Sequence, residues 1–439
     1  MTSLSPRRDA AAPRPLAERR VMVFPAATEV ALEAQRALGG RRDVVLSSAG
    51  LGGPTHAPLV FDRHHAVPHV ADPEWVPAMA QAVADEAVDY ILPAHDDAVV
   101  PLLEAEATLG VTVLAPPLTA ARTARSKRAT YAALEGVVPV PEVLEGPIPA
   151  ERFPVFCKPD AAQGSLGAEP AADAPAVARL RGAGSDLVTE LLPGEELTVD
   201  CLSALGGELL FAGPRRRERT RAGISMRSTP VDDPALVAMA RGVSESLAMR
   251  GAWFLQAKRD ALGVPVLMEV GARIAGTSAV QRARGVNLPL LALYEREGHS
   301  LDVRPLPIEV TLERALVNRY LTNLRFARLY VDLDDTLVRR SRVDPALVAV
   351  LFQHIAAAVP VILLTRHRGD LAATLREHRL DGIFDDVIHV ADGEDKTAHM
   401  GAPPALLIDD SHAERAAALA AGHLALDPSA AELLVDDRR

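Results

Sequence analysis

Cysteine is nearly absent. Cys157 and Cys201 are the only two in 439 residues. They are too few for a disulfide framework, and an unbridged pair in a chain this long points to a reducing compartment, with both thiols serving as small core residues. Long apolar runs are absent too. Nothing approaches the roughly 18 to 20 unbroken apolar residues of a membrane helix, so no membrane partner is expected. Residues 1–20, rich in Arg, Ala and Pro, lack the apolar core of a secretion signal and read as a disordered tail on a cytoplasmic protein. A basic excess is also missing. Lys and Arg total 47 against 58 Asp and Glu, a net charge of −11. That is the wrong sign for duplex nucleic acid as the main partner, and it suits small substrates.

What is present is length and alternation. The chain suffices for about two to four structural units, each with its own core. From residue 21, short apolar strands alternate with amphipathic helices: VMVFP (21–25), a helix near 28–38, DVVLSS (43–48), a helix over 72–88, DYILPA (89–94), a helix after PAHDD, and VTVLAP (111–116). The helix over 72–88 is expected to open with Asp72 as N-cap and Pro73 in first position. This alternation predicts a parallel layer, a Rossmann-like domain over 21–120. His95 and Asp96 follow a strand, where open α/β sheets bind ligands; substrate contact and helix capping by Asp96 are both open. Residues 121–315 change to mixed strands and Gly-rich turns. Parallel-type strands return from 326 in RLYVDL, VILLT (361–365), VIHV (387–390) and ALLIDD (405–410). The expected fold class is α/β and α+β multidomain without internal repeats, with segments 1–20, 21–120, 121–315 and 326–439. The join at 316–326 has no Pro/Gly/Ser run, which predicts close docking of the last domain.

FPVFCKPDAAQGSLG (153–167) sets Lys158 in a strand before a loop of small residues that includes Gly164, Ser165 and Gly167. Glycines let backbone amides approach phosphate oxygens, and a lysine supplies the matching positive charge. Alone, such a loop is common. Three segments accompany it: RSKRATYAAL with Lys127, VTELLPGEELTVD (188–200) with Glu190, Leu192 and Glu196, and FLQAKRDALGVPVLMEVGARIAGTS (254–278) with Gln256, Glu269 and Arg273. Together they resemble the ATP-grasp superfamily over about residues 20–315. The resemblance implies that Lys127 and Lys158 hold ATP phosphates under the loop of Gly164, Ser165 and Gly167. Glu190 at the lobe hinge would meet the adenine amine, Glu196 the ribose, and Leu192 joins the same nucleotide-binding group. It also implies Mg2+ at Gln256 and Glu269, oxygen ligands that suit a metal bridging phosphates while keeping waters. Arg273 would stabilise charge on the transferring phosphoryl group. One position departs from the family: its usual third metal ligand, an Asn two residues past the glutamate, is Gly271 here. FPAATEVALEAQRAL, ILPAHDDAV, SKRATY, VFCKPDAAQGS and GAWFLQAKRD, in that order, resemble more narrowly the ATP-grasp ligases of tellurium-resistance-associated biosynthetic operons, which also carry a C-terminal domain. The five arginines of GPRRRERTRAG (213–223) lack interleaved aromatics. They read as a mobile loop over triphosphate and substrate.

LYVDLDDTLVRR (329–340) ends a strand in Asp332, Asp334 and Asp335. A carboxylate can attack phosphorus directly, while a second one two residues on protonates the leaving group and later activates water. Anions so close need a cation. ALLIDDS adds Asp409 and Asp410, which with Asp332 and Asp334 complete an oxygen site for magnesium. Thr365, ending VILLT, can donate to a phosphoryl oxygen, and Lys396 in GEDKTAHM can neutralise an aspartyl phosphate. In this order the motifs resemble the haloacid dehalogenase (HAD) superfamily over about residues 326–439. About 30 residues separate Asp335 from Thr365 and Thr365 from Lys396, room for one βα unit each and not for an inserted cap. The resemblance is therefore to a capless HAD-like Rossmannoid domain, whose open site takes a large substrate or borrows a lid from a neighbour.

The expectation is a bifunctional enzyme with ATP and Mg2+ as cofactors. One part would join a small-molecule carboxylate to an amine through an acyl phosphate, and the HAD part would hydrolyse a phosphate ester of a related metabolite. Many ATP-grasp ligases form dimers, so the resemblance admits a homodimer here while the residues themselves leave the oligomeric state open. Two rivals stand beside it: a phosphatase whose ATP-grasp part only senses nucleotide, favoured by Gly271, and a non-catalytic binding module of a stress-associated complex.

Overall fold

The computed structural model describes residues 18–438 except Gln163, Ser165 and Ala222. Most of the expected tail at 1–20, and the loop residue Ser165, lie outside the described residues. The chain forms two compact units, one up to Leu316 and one from Val317. Among the described residues no helix is long and apolar enough to cross a membrane.

The first unit begins with five parallel strands in the order His64–Ala66, Val44–Gly50, Arg19–Phe24, Tyr90–Pro93, Thr112–Val113. Helices Glu29–Leu38, Trp75–Glu86 and Asp96–Leu109 supply the crossovers that parallel pairing requires. Thr28 caps the first, its hydroxyl accepting from Ala31 N at 3.0 Å. The second starts at Trp75, later than expected. Asp72 closes a preceding turn instead, its Oδ1 accepting from Glu74 N at 2.9 Å, and Trp75, buried and 5.7 Å from the Phe24 ring, anchors the helix start in the core. The third helix is capped by His95, whose Nδ1 accepts from Asp97 N at 3.4 Å. Capping by Asp96 is thereby overturned, since its carboxylate is engaged by Arg273.

A six-stranded antiparallel sheet follows, ordered Pro265–Gly271, Gly251–Arg259, Glu196–Ser203, Leu209–Arg221, Ile224–Pro230, Leu312–Glu313. A smaller lobe carries three antiparallel strands, Glu169–Ala171, Val155–Lys158 and Leu187–Glu190, backed by helix Ala174–Gly182. Met22, Phe24 and Trp75 of the parallel layer share one apolar core with Leu197, Trp253 and Leu255 of the large sheet. The segments expected as two domains, 21–120 and 121–315, thus bury a common face.

The second unit has its own five parallel strands, ordered Asp386–His389, Val361–Thr365, Leu329–Val331, Leu406–Ile408, Leu424–Leu426. Leu329, Val331, Leu363 and Ile408 point to one side, into a core with helix Pro345–Ala356, while Tyr330, Leu364 and Leu407 point to the other. Residues buried on both faces explain why these strands read as unbroken apolar runs. Between Asp335 and Thr365 lie only a short hairpin (Val338–Arg339 with Arg342–Val343) and one helix, and no inserted domain. The unit also takes in residues upstream of 326, where Arg319 Nε pairs with Asp437 at 2.6 Å.

Candidate functional site

In both parallel sheets the chain order reverses beside the first strand, and open α/β sheets form ligand crevices at the carboxyl ends of the strands at such a point. In the first unit that point lies between Arg19–Phe24 and Tyr90–Pro93, and it delivers Glu29, His95 and Asp96 to one cavity with Gln256, Glu269 and Arg273. An adjoining cavity is walled by Lys127, Lys158, Glu196, Arg217, Gln256 and Glu269. Gly164 lines both.

Lys127 opens helix Lys127–Leu134, its Nζ donating to the carbonyls of Ala162 (2.8 Å) and Asp160 (3.3 Å) and standing 4.0 Å from Glu269 Oε2. It thus braces the small-residue loop from below. Lys158 is 3% exposed, and its Nζ donates to Tyr131 Oη at 2.7 Å, which in turn donates to the Met268 carbonyl at 2.6 Å. Burial, with Lys127 nearby, pushes the Lys158 ammonium down to about 8. Gln256 and Glu269 face each other across paired strands. Glu196 sits 3.8 Å from Arg217 and 3.9 Å from Lys258. Glu190 stands apart: its Oε1 accepts from Glu142 N at 3.0 Å, and neither cavity includes it or the buried Leu192. Gly167, at φ 69°, keeps its carbonyl on Ser185 Oγ at 2.6 Å.

The arginine-rich segment is no mobile loop. It forms strand Leu209–Arg221, hydrogen-bonded on one side to Glu196–Ser203 and on the other to Ile224–Pro230. Alternation turns Arg215 and Arg217 inward and Arg216 outward, and a register shift after Arg217 turns Arg219 outward as well. Arg215 is buried against Asp200 at 2.8 Å, also donating to Ser228 Oγ. Arg217 reaches the Gln256 amide oxygen and the Gly223 carbonyl, while Arg219 pairs with Glu313 outside. Burial lowers the pKa of Arg217 against the raising effect of Glu196. At the hairpin tip Gly223 has φ 72°, and a Cβ there would overlap the Gly164 backbone. The tip therefore closes directly on the small-residue loop.

Arg273 stacks 5.2 Å from the Phe254 ring centroid, pairs with Asp96 and leaves its Nε buried without a partner among the described residues. Burial alone would raise the Asp96 pKa, but the Arg273 guanidinium holds it below the usual carboxylate value. Phe254 was not singled out from the sequence, and it accounts for Gly271. The two are cross-strand partners, and a Cβ on Gly271 would overlap the ring. An aromatic facing a glycine across two strands was the available signal. The phenyl ring occupies the room that a ligating Asn would need, so the donors that fit Mg2+ here are Glu269 and, once Arg217 releases it, Gln256.

In the second unit the reversal lies between Leu329–Val331 and Leu406–Ile408, so Asp332 and Asp409 emerge side by side. Lys396 Nζ bridges them, at 2.8 Å from Asp332 Oδ1 and 2.7 Å from Asp409 Oδ2. Asp332, Asp409 and Asp410 present oxygens within 4.8 Å of one another, a set that fits a divalent cation. Burial raises Asp332 to about 6 against the pull of Lys396. Burial would lower Lys396, but its two carboxylate partners, Asp332 first, hold it above its ordinary value. Thr336 Oγ1 accepts from Asp410 N at 3.0 Å and orients that loop. Thr365 Oγ1 is buried and makes no hydrogen bond of ordinary geometry among the described residues, although it lies near enough to Asp332 to help hold that carboxyl down; a phosphoryl oxygen would satisfy it as a donor. Asp334 is not in the cation set. It is half-exposed and held by His367 Nδ1 at 2.9 Å, whose Nε2 meets Thr374 Oγ1 at 2.9 Å. His367 went unnoticed in the sequence because a lone histidine near a strand end carries no pattern.

Residues 185–315 match the family model described as ATP-grasp in the biosynthetic pathway with Ter operon. Biotin carboxylase from Campylobacter jejuni, in a beta-gamma-ATP complex, is similar at TM-score 0.54 and 15% identity, over 65% of this chain and 72% of that one. The biotin carboxylase domain dimer of Hydrogenobacter thermophilus 2-oxoglutarate carboxylase, with MgADP, ADP and bicarbonate, gives 0.55 at 14% identity over 65% and 71%. An N5-carboxyaminoimidazole ribonucleotide synthetase in its ADP complex gives 0.53 at 13% over 67% and 78%. No curated protein sequence matches the chain significantly. At such identities the likeness is one of fold, and with the family match it establishes that the chain contains an ATP-grasp domain.

Proposed function

We propose that the first unit is an ATP-dependent carboxylate–amine ligase and the second a HAD-type phosphohydrolase acting on a related small metabolite, in a cytoplasmic homodimer. The observation that carries the ligase reading is the single wall bearing Lys127, Lys158, Gln256 and Glu269, with Arg273 in the adjoining cavity. A substrate carboxylate oxygen attacks the γ-phosphorus and ADP departs. Lys127 and Lys158 hold the phosphates, and Arg273, with its unpartnered Nε, stabilises the acyl phosphate. The amine then attacks the acyl carbon, inorganic phosphate leaves, and the amine's proton passes to water as the amide forms. Magnesium on Glu269 would neutralise phosphate charge.

In the second unit Asp332 attacks the ester phosphorus while Asp334, oriented by His367, protonates the leaving alcohol. Asp334 then takes a proton from the water that hydrolyses the aspartyl phosphate. Lys396 offsets the charge on Asp332, and Thr365 Oγ1 donates to a phosphoryl oxygen. Asp332, Asp409 and Asp410 would hold Mg2+, which supplies a counter-charge for the phosphoryl group.

Wild type, Lys158→Ala and Asp332→Asn incubated with ATP, magnesium and pooled acids and amines, and read by mass spectrometry, test both halves. An amide formed by wild type and lost in Lys158→Ala supports the ligase, and phosphatase activity lost only in Asp332→Asn supports the hydrolase. The Phe254 ring over Gly271 favours the rival, a nucleotide-sensing domain attached to a phosphatase. ADP formed in no pool, with phosphatase activity intact, would select it.

A further inference from the structure

The cavity at the first unit's switch point has a volume of about 240 Å3, below the roughly 300–1,000 Å3 of sites for drug-sized ligands and so suited to a smaller molecule. Its charged groups are unevenly committed. Arg215 is paired with Asp200, and Arg273 with Asp96 through one end of its guanidinium. Arg217 and Glu269 also face the nucleotide wall. Glu29 and Arg314 line this cavity and not the nucleotide one.

The two flank Gly276. A Cβ there would stand 3.1 Å from Glu29 Oε1 and 3.4 Å from Arg314 Nη2, so the glycine keeps the gap between them open. Arg314 donates to the Gly276 carbonyl, and its charge is coupled to Glu29 without a hydrogen bond between the two. Burial lowers the Arg314 pKa, the mark of a guanidinium whose charge the protein alone leaves incompletely compensated. A part-buried cation and a carboxylate on either side of Gly276 are satisfied together by a molecule that carries both opposite charges at that spacing.

We infer that the Glu29–Gly276–Arg314 end of the cavity binds the zwitterionic head of an amino acid, its ammonium on Glu29 and its carboxylate on Arg314. The inference names a substrate class and rests on the ligase reading only for the reaction that follows binding.

Binding is read without turnover. The full chain, loaded with a non-hydrolysable ATP analogue and Mg2+, is titrated calorimetrically with each of the twenty L-amino acids, then with the N-acetyl and carboxamide derivatives of the tightest binder. At least one amino acid binds, and each derivative binds at least tenfold more weakly. Glu29→Gln removes the discrimination against the N-acetyl derivative and Arg314→Gln that against the carboxamide, while both variants keep wild-type affinity for the analogue, which shows that they fold. Failure of every amino acid to bind, or derivatives binding as well as the parent, overturns the inference. An amino acid that binds but yields no product with ATP refutes the ligase reading and leaves this inference standing. An amide made only from substrates without a zwitterionic head does the reverse.

Discussion

Lys158 shows how burial sets chemistry at a single residue. Its ammonium donates to a tyrosine hydroxyl at 2.7 Å, and burial first, then Lys127, brings its pKa down to about 8 against the opposing charge of Glu269. Phosphate oxygens favour the charged form, so nucleotide binding takes up a proton wherever the free lysine is neutral. Affinity for an ATP analogue is expected to hold steady below pH 8 and to fall above it, by at most about tenfold per unit for one proton. Lys158→Arg, which stays charged, flattens the profile when dissociation constants are measured from pH 6.5 to 9.5. Thr365 poses the opposite case. Among the described residues its buried hydroxyl makes no hydrogen bond of ordinary geometry, only a looser approach to Asp332, and an unsatisfied buried group costs up to about 1–3 kcal/mol. Thr365→Val should leave thermal stability nearly unchanged while lowering kcat for phosphate-ester hydrolysis by on the order of 100-fold or more, the size of a lost transition-state hydrogen bond. A drop in stability with activity retained would mean the hydroxyl serves the fold.

At the scale of elements, the hairpin from Leu209 to Pro230 depends on the Arg215–Asp200 pair. Both side chains are 1% exposed, and Gln281 Nε2 donates to the same carboxylate at 3.3 Å. Asp200→Ala strands a buried guanidinium and should cost about 3–5 kcal/mol in urea unfolding. Arg215→Met with Asp200→Leu should recover most of that loss. The same hairpin marks where sequence reading stops. Strands ending in Asp332 and Asp409, and the helix near 28–38, were legible because apolar runs, acids and amphipathic periodicity are local signals. The arginine run was not, because its partners Asp200, Gln256 and Glu313 lie up to 94 residues away. Without them five arginines look like a solvated loop. His95 taking the cap from Asp96, and Phe254 filling the space above Gly271, escaped for the same reason. Each is decided by a neighbour that only the folded sheet supplies.

At the scale of the whole molecule, each unit repeats one device. A doubly wound sheet reverses its order beside its first strand, and acids gather there, Glu29 and Asp96 lining one cavity in the first unit and Asp332 lying beside Asp409 in the second. Each unit also has cores of its own, drawn in the first from residues such as Trp253 and Leu293 and in the second from Leu329 and Leu407. Ligands that bind only a folded site stabilise it by mass action, about 2.7 kcal/mol at a hundredfold excess over Kd. Differential scanning calorimetry of the full chain should therefore show that an ATP analogue with Mg2+ raises one transition and that beryllium fluoride with Mg2+, which mimics an aspartyl phosphate, raises the other. Lys158→Ala should erase only the first shift and Asp332→Asn only the second. If one variant erased both, the two sites would share a single folding unit, and the division of labour between ligase and phosphohydrolase would have to be given up.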